Sequence, residues 1–366
     1  MYNIKKAPET MSARERVIKT FAYEKTDRVT VGYNANPGID ARLKAALGVS
    51  ADDDEGLFQA LGVDYRGISA PYTGPRLYNP PPGRKVNELE GSFSRWIEHG
   101  SGGYWDICDF PLAGAGDAQF DAYPVPDADD FDYAAALETA KSYGGAYALY
   151  AGGSGVPDVI NSNSRIMGME DMLCHLIEGS PAALAFMERR TVFQLGMLER
   201  LLDKCKGYID FVWLGEDLGT QIAPMISLKL YREAIKPIHA RFAGLAAAYG
   251  LPSIIHTCGS SSWAYEDMIE IGINGVDTLQ PEAVNMSPTY LAGRFGGRLN
   301  FRGCISTAGK LSFGSAADVT KECIETLNIM MKSRGYHFAP THAIQDNTPV
   351  ENVIAMYQAA HDNGRY

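Results

Sequence analysis

Apolar positions in this chain follow two alternating rhythms. Short apolar or β-branched runs, bounded by Gly, Pro or Asp, occupy residues 28–34, 63–70, 146–151, 211–216, 253–258, 275–279, 299–304 and 337–343. Each has the length and flanks of a strand. Between them lie longer segments with helical spacing, 167–178, 181–205, 228–249, 262–271, 317–334 and 349–363. Alternation repeated this often predicts a parallel sheet, and about eight strands with covering helices predicts a single (β/α)8 TIM barrel spanning 1–366. An open, doubly wound sheet is the alternative, but no glycine-rich nucleotide fingerprint follows an early strand.

Two segments stand outside this alternation. Residues 12–23 read as an N-terminal helical extension, with Ser12 as N-cap and Glu15 completing a capping box. Residues 72–126 carry the turn Tyr78-Asn79-Pro80-Pro81-Pro82-Gly83 and then two strand-like runs, 92–99 and 103–110. Joined by Gly100-Ser101-Gly102, these runs predict an inserted β-hairpin over one barrel mouth.

Composition narrows the class. Hydrophobic residues make up 46% of the chain, enough for a large core, yet no apolar run reaches the length of a membrane span. Met1 to Arg16 mix charge and polarity without an apolar stretch, so a secretory signal is not expected and the cytoplasm is. The net charge of −11 excludes the basic surface that nonspecific nucleic-acid binding requires. A homo-oligomer is compatible with all of this. Of the six cysteines, Cys174, Cys205 and Cys323 sit in helical patterns and read as buried small residues. Cys258 and Cys304 end predicted strands.

In such a barrel the chemistry sits at the carboxyl ends of the strands. Those ends carry Asn34, Glu216, Asp217, His256, Cys258, Gln280, Arg302, Cys304 and His342. On a strand, His256 and Cys258 share a face and can aim at one point, and imidazole and thiolate are preferred zinc ligands. A third ligand must come from another strand, either Cys304 or His342, and both choices leave an open coordination position. Glu216 and Asp217 are candidates to bind metal, to orient a ligand histidine or to act as general acid. Asp277 and Gln280 read as turn residues. Asp346 reads as helix-end electrostatics, ahead of Thr348 as N-cap and Pro349 at the first helical position. Tyr33, Tyr72, Tyr104, Trp105 and Trp213 read first as core packing, and as the wall of an aromatic substrate only as far as a family resemblance calls for one.

Several segments together resemble the uroporphyrinogen-decarboxylase superfamily. Ser12-Ala13-Arg14-Glu15-Arg16-Val17 and Thr26-Asp27-Arg28-Val29 are similar to its opening helix and first strand. Gly215-Glu216-Asp217-Leu218-Gly219-Thr220-Gln221, the His256–Cys258 strand, Gly275-Val276-Asp277 with Gln280-Pro281, and the run from His342 to Asn352 resemble its corrinoid-linked methyltransferase branch. The arginine-rich N-terminal motif of the true decarboxylases is missing. The resemblance implies Zn2+ held by His256, Cys258 and a distant ligand shortly before Thr348-Pro349, which favours His342 over Cys304. It also implies a corrinoid (cobalamin) carried by a partner protein, and a small methyl donor. Histidine in place of the cysteine of the thiol-methylating members fits demethylation of methyl ethers, such as methoxylated aromatics. Methyl transfer from corrinoid to a thiol and tetrapyrrole decarboxylation are the alternatives.

Overall fold

The computed structural model describes residues 2–100 and 102–366. Eight parallel strands form one sheet: β1 (Thr30–Val31), β2 (Tyr65–Ile68), β3 (Ala148–Pro157), β4 (Phe211–Gly215), β5 (Ser253–His256), β6 (Gly275–Leu279), β7 (Asn300–Ile305) and β8 (Tyr336–Pro340). Their order is β1-β8-β7-β6-β5-β4-β3-β2. The sheet thus curls until its first two strands meet, as the sequence pattern predicts. The seam between them is made by one residue. The backbone N–H of Asp64 donates to Val31 O (3.0 Å), and the Asp64 carboxylate accepts the Val31 N–H (2.7 Å). Arg16 and Arg28, both buried, pin that carboxylate at 2.6 and 2.7 Å. Three buried charges are tolerable here because each is paired and hydrogen-bonded.

Strand parity sorts side chains between the barrel interior and the helix layer. Phe211 and Trp213 of β4, Ile254 of β5 and Tyr65 of β2 pack together inside, with Tyr150 against them. Val212, Leu214, Ile255 and Val276 face the helices and join the large outer core. The N-terminal helix Ala13–Phe21 closes the amino end of the barrel, with Val17 and Phe21 in the interior cluster. Ser12 caps this helix through the Glu15 N–H (3.1 Å). At the last helix, Val350–Asn363, the expected cap is not formed, a correction. Pro349 is the N-cap residue, and the Thr348 hydroxyl bonds to Ser312 (2.9 Å) instead.

The inserted hairpin is present. Phe93–His99 and Gly102–Cys108 pair antiparallel, with Lys85–Val86 as a third strand. Ser101, in the middle of the expected turn, lies outside the described residues. His99 and Tyr104 at the hairpin tip share a crevice with Asn36, His342 and Asp346, so the hairpin overhangs the carboxyl end of the barrel. Among the described residues no helix is long and apolar enough to cross a membrane.

Candidate metal centre

Parity places His256. It follows Ile254 by two residues, so its imidazole points inward, where Ile255 points out. Cys258 lies in the turn beyond β5, where its N–H donates to Asp217 Oδ1 (2.8 Å). Gly259 makes this turn possible: its φ is +69°, and a Cβ would stand 2.2 Å from the Gly219 carbonyl oxygen. The Cys258 Sγ is 3.4 Å from His256 Nε2. His342, in the segment after β8, brings a third ligand atom, and the ligand atoms of all three residues lie within 4.8 Å of one another.

A tetrahedral zinc ion with bonds of about 2.0–2.3 Å separates its ligand atoms by roughly 3.4–3.7 Å. The His256–Cys258 spacing already fits. His342 is the exposed member of the three, and the 4.8 Å limit on the spacing of the three ligand atoms lies above that tetrahedral range. The donor types, the spacing and the exposed third ligand fit a cation of the zinc class. Without one, burial and the nearby Asp217 carboxylate push the Cys258 thiol up. Burial and His256 push the His342 imidazole down.

Cys304 is not part of this cluster. Parity with Arg302 would aim it inward, but β7 is irregular there. Gly303 has φ +115° and Cys304 φ +71°, and the register against β6 shifts between Phe301 and Gly303. That bulge turns Cys304 into the outer core.

The two candidate carboxylates part company for the same reason. Phe211, Trp213 and Gly215 share the inner face, so Glu216 faces the helices and Asp217 returns to the mouth. Asp217 lies 3.9 Å from His256 Nε2, and its other oxygen accepts from Asn161 Nδ2 (2.9 Å). Glu216 is fully buried. It accepts the N–H groups of Val159 (2.8 Å) and Ile160 (2.9 Å) at the start of helix Val159–Met167, and meets His239 Nε2 at 3.2 Å. Burial pushes the Glu216 carboxyl up to about 8 and the His239 imidazole down to about 3. The expectation of Glu216 beside the metal ligands is therefore corrected: it anchors a helix behind them.

Asp277, expected to serve a turn, is instead the carboxylate behind the site. Fully buried on β6, it meets His256 Nδ1 at 3.1 Å and Arg302 Nη1 at 2.6 Å. Burial alone would raise it, but Arg302 and His256 outweigh that and hold it down at about 2. The Thr278 hydroxyl also reaches His256 Nδ1, at 2.6 Å, because Thr278 has φ +62° and turns to the same side. A ligand histidine held through its other nitrogen by a carboxylate has its tautomer and ring orientation fixed. A charged residue amid Gly275-Val276 and Thr278-Leu279 was the available signal for this role. Gln280 does act in a loop, accepting the Gly259 N–H (2.7 Å). Asp346 does serve a helix end, but that of Pro37–Leu47, through the Ile39 N–H (2.9 Å).

Beside the cluster lies a cavity of about 240 Å³. Tyr33 and Trp213 line it as expected, joined by Phe58, Tyr65, Tyr150 and Arg302. Tyr72, Tyr104 and Trp105 lie elsewhere, a correction. Tyr72 packs on Phe131, Trp105 on Trp96, and Tyr104 on the hairpin crevice.

Residues 166–363, more than half of the chain, match the sequence model of the uroporphyrinogen decarboxylase (URO-D) family. No curated protein matches the sequence. Among solved structures, a methyltransferase from Methanosarcina mazei is similar in fold, with a TM-score of 0.64 at 16% identity over 96% of this chain and 99% of the other.

Proposed function

The chain belongs to the uroporphyrinogen decarboxylase family, and from that premise we propose that it is a zinc-dependent methyltransferase of the O-demethylase type. It takes a methyl group from a small donor, a methyl ether such as a methoxylated aromatic, and passes it to the cobalt of a corrinoid on a partner protein. The observation that carries this reading is the convergence of His256, Cys258 and His342 on one point beside an aromatic-walled cavity.

Each residue has a part. His256, Cys258 and His342 would hold the zinc, and a zinc so bound supplies Lewis-acid stabilisation of charge developing on the leaving oxygen. Asp277 fixes His256. Asp217 holds the Cys258 turn through its N–H and stands beside His256. Tyr33, Tyr65, Tyr150 and Trp213 wall the ring of the donor. The cavity supports a small donor over a tetrapyrrole. An apolar cavity of about 150 Å³ already takes benzene, so about 240 Å³ suits one substituted ring. Of the two arginines in its lining, Arg66 is engaged by Glu55 at 2.7 Å.

The test is a panel of methyl ethers with zinc-loaded protein and reduced cobalamin. Conversion of the Co(I) spectrum to that of methyl-Co(III) with wild type, and its loss in His256→Ala, is the expected result. Methylation of cobalt by no ether in the panel, or at an equal rate with His256→Ala, overturns the proposal.

A further inference from the structure

Three glycines line the cavity, Gly67, Gly152 and Gly153, and the fold accounts for two of them. A Cβ on Gly67 would stand 2.9 Å from the Tyr150 hydroxyl oxygen. Gly152 has φ +88°, and a Cβ there would run into the Trp213 carbonyl oxygen. Neither reason applies to Gly153: a Cβ there would meet nothing within 4 Å, and its φ lies outside the left-handed region. Glycine inside a strand gives up conformational entropy and side-chain packing, so its presence at 153 calls for another cause.

Gly153 belongs to a bulge in β3. Gly152 pairs with Trp213 of β4 and Pro157 with Gly215, so residues 153–156 stand opposite Leu214 alone. By strand parity Gly153 would follow Ala151, which is buried in the outer core. The bulge turns it out of that layer instead: Gly153 is partly exposed, borders the cavity and has the exposed Ser154 beside it. The bulge is also held in place. Gly155 O accepts from Gln194 Nε2 (3.2 Å), and Ser154 O lies so close over Gly215 that no Cβ would fit there. Gly153 is therefore an open stretch of a fixed backbone wall at the mouth of the cavity. Strand glycines and bulges recur where a ligand approaches the backbone closely.

We propose that Gly153 sets the size of donor that the cavity admits: the absent side chain leaves room for a substituent that the donor ring carries beyond its methoxy group. This deepens the methyl-ether reading and rests on it for the ring. Volume agrees. An apolar cavity of about 150 Å³ takes benzene, and this one, at about 240 Å³, has space beyond one bare ring. A methyl group at 153 would take part of that space while touching no neighbour in the fold.

The experiment is calorimetric titration of the zinc-loaded, full-length protein with methoxybenzene and its ortho-, meta- and para-ethyl derivatives. Wild type is measured beside Gly153→Ala and Gly153→Val. Wild type is expected to bind at least one ethyl isomer as tightly as the bare ring or more so, since a buried methylene adds affinity. Gly153→Ala should weaken that isomer about tenfold relative to the bare ring, and Gly153→Val further, the scale on which a pocket reads one methylene. The isomer weakened most marks the ring position that faces the wall. Affinity for the bare ring and zinc content should stay as in wild type, and the melting temperature of Gly153→Ala within about 1 °C of it. Equal weakening of all four rings in both variants, or weakening of none, overturns the proposal. So does a wild type that rejects every ethyl isomer, or that binds no ring up to the solubility limit. A melting temperature several degrees lower in Gly153→Ala overturns it too, because the glycine would then serve the fold. If the isomers discriminate through residue 153 but no ether methylates cobalt, the methyl-transfer reading fails and the size limit stands. If ethers are demethylated with the same ring preference in all three proteins, the reverse holds.

Discussion

Asp277→Asn separates the metal centre from the fold that carries it. The carboxylate accepts from two donors at once, Arg302 Nη1 at 2.6 Å and His256 Nδ1 at 3.1 Å, with no exposure to water. An asparagine has one acceptor and one donor end, so either Arg302 or His256 must face an N–H group. Removing one partner of a buried ion pair costs about 3–5 kcal/mol. At roughly 2.1 cal/mol/K of unfolding entropy per residue, a chain of this length loses about 4–6 °C of melting temperature for that cost. The second consequence is specific to the site. A ligand histidine that loses its orienting carboxylate weakens metal binding by about 10–100-fold. Calorimetry of the zinc-free protein reads the first effect, and competition with a chromophoric zinc chelator reads the second. A melting temperature that falls while zinc affinity stays within about threefold of wild type would refute the role of Asp277 behind His256.

Two further substitutions probe residues that the structure sets apart from the cluster. Cys304→Ser should keep full zinc content, measured by elemental analysis, because the β7 bulge carries that side chain into the outer core. Glu216→Gln should cost about 1–3 kcal/mol, since an amide nitrogen at the Oε2 position faces the Val159 N–H. Zinc affinity should not change, because Glu216 faces away from the ligands. Its pH dependence has a definite sign. The folded pKa of about 8 stands above the ordinary value of 4.5, so the folded state binds the proton more tightly. The stability this contributes is complete below pH 4.5 and is lost as pH rises through about 8. Urea midpoints measured across that range should decline in wild type and decline less in Glu216→Gln.

The strands and their order were legible because buried parallel strands are short apolar runs and the turns between them are marked by Gly, Pro and Asp. His256 and Cys258 were legible for the same reason, as polar residues closing an apolar run. What escaped was set by backbone departures that pattern alone does not encode. The positive φ values of Gly303 and Cys304 invert the facing of Cys304, and that of Thr278 adds a second contact to His256. Glu216 could have been assigned outward by counting parity from Phe211 and Trp213. Asp277 and Arg302 meet across neighbouring strands, and pairing register is a tertiary fact. The cap at Thr348 yielded to a hydroxyl partner, Ser312, from a distant segment.

Zinc content of the purified chain tests the central reading most directly, with wild type measured beside Cys258→Ser and His342→Ala. The geometry predicts about one zinc per wild-type chain and at least tenfold weaker binding in both variants. A wild-type protein that takes up no zinc at micromolar concentration, or a His342→Ala protein that binds it as wild type does, would contradict it.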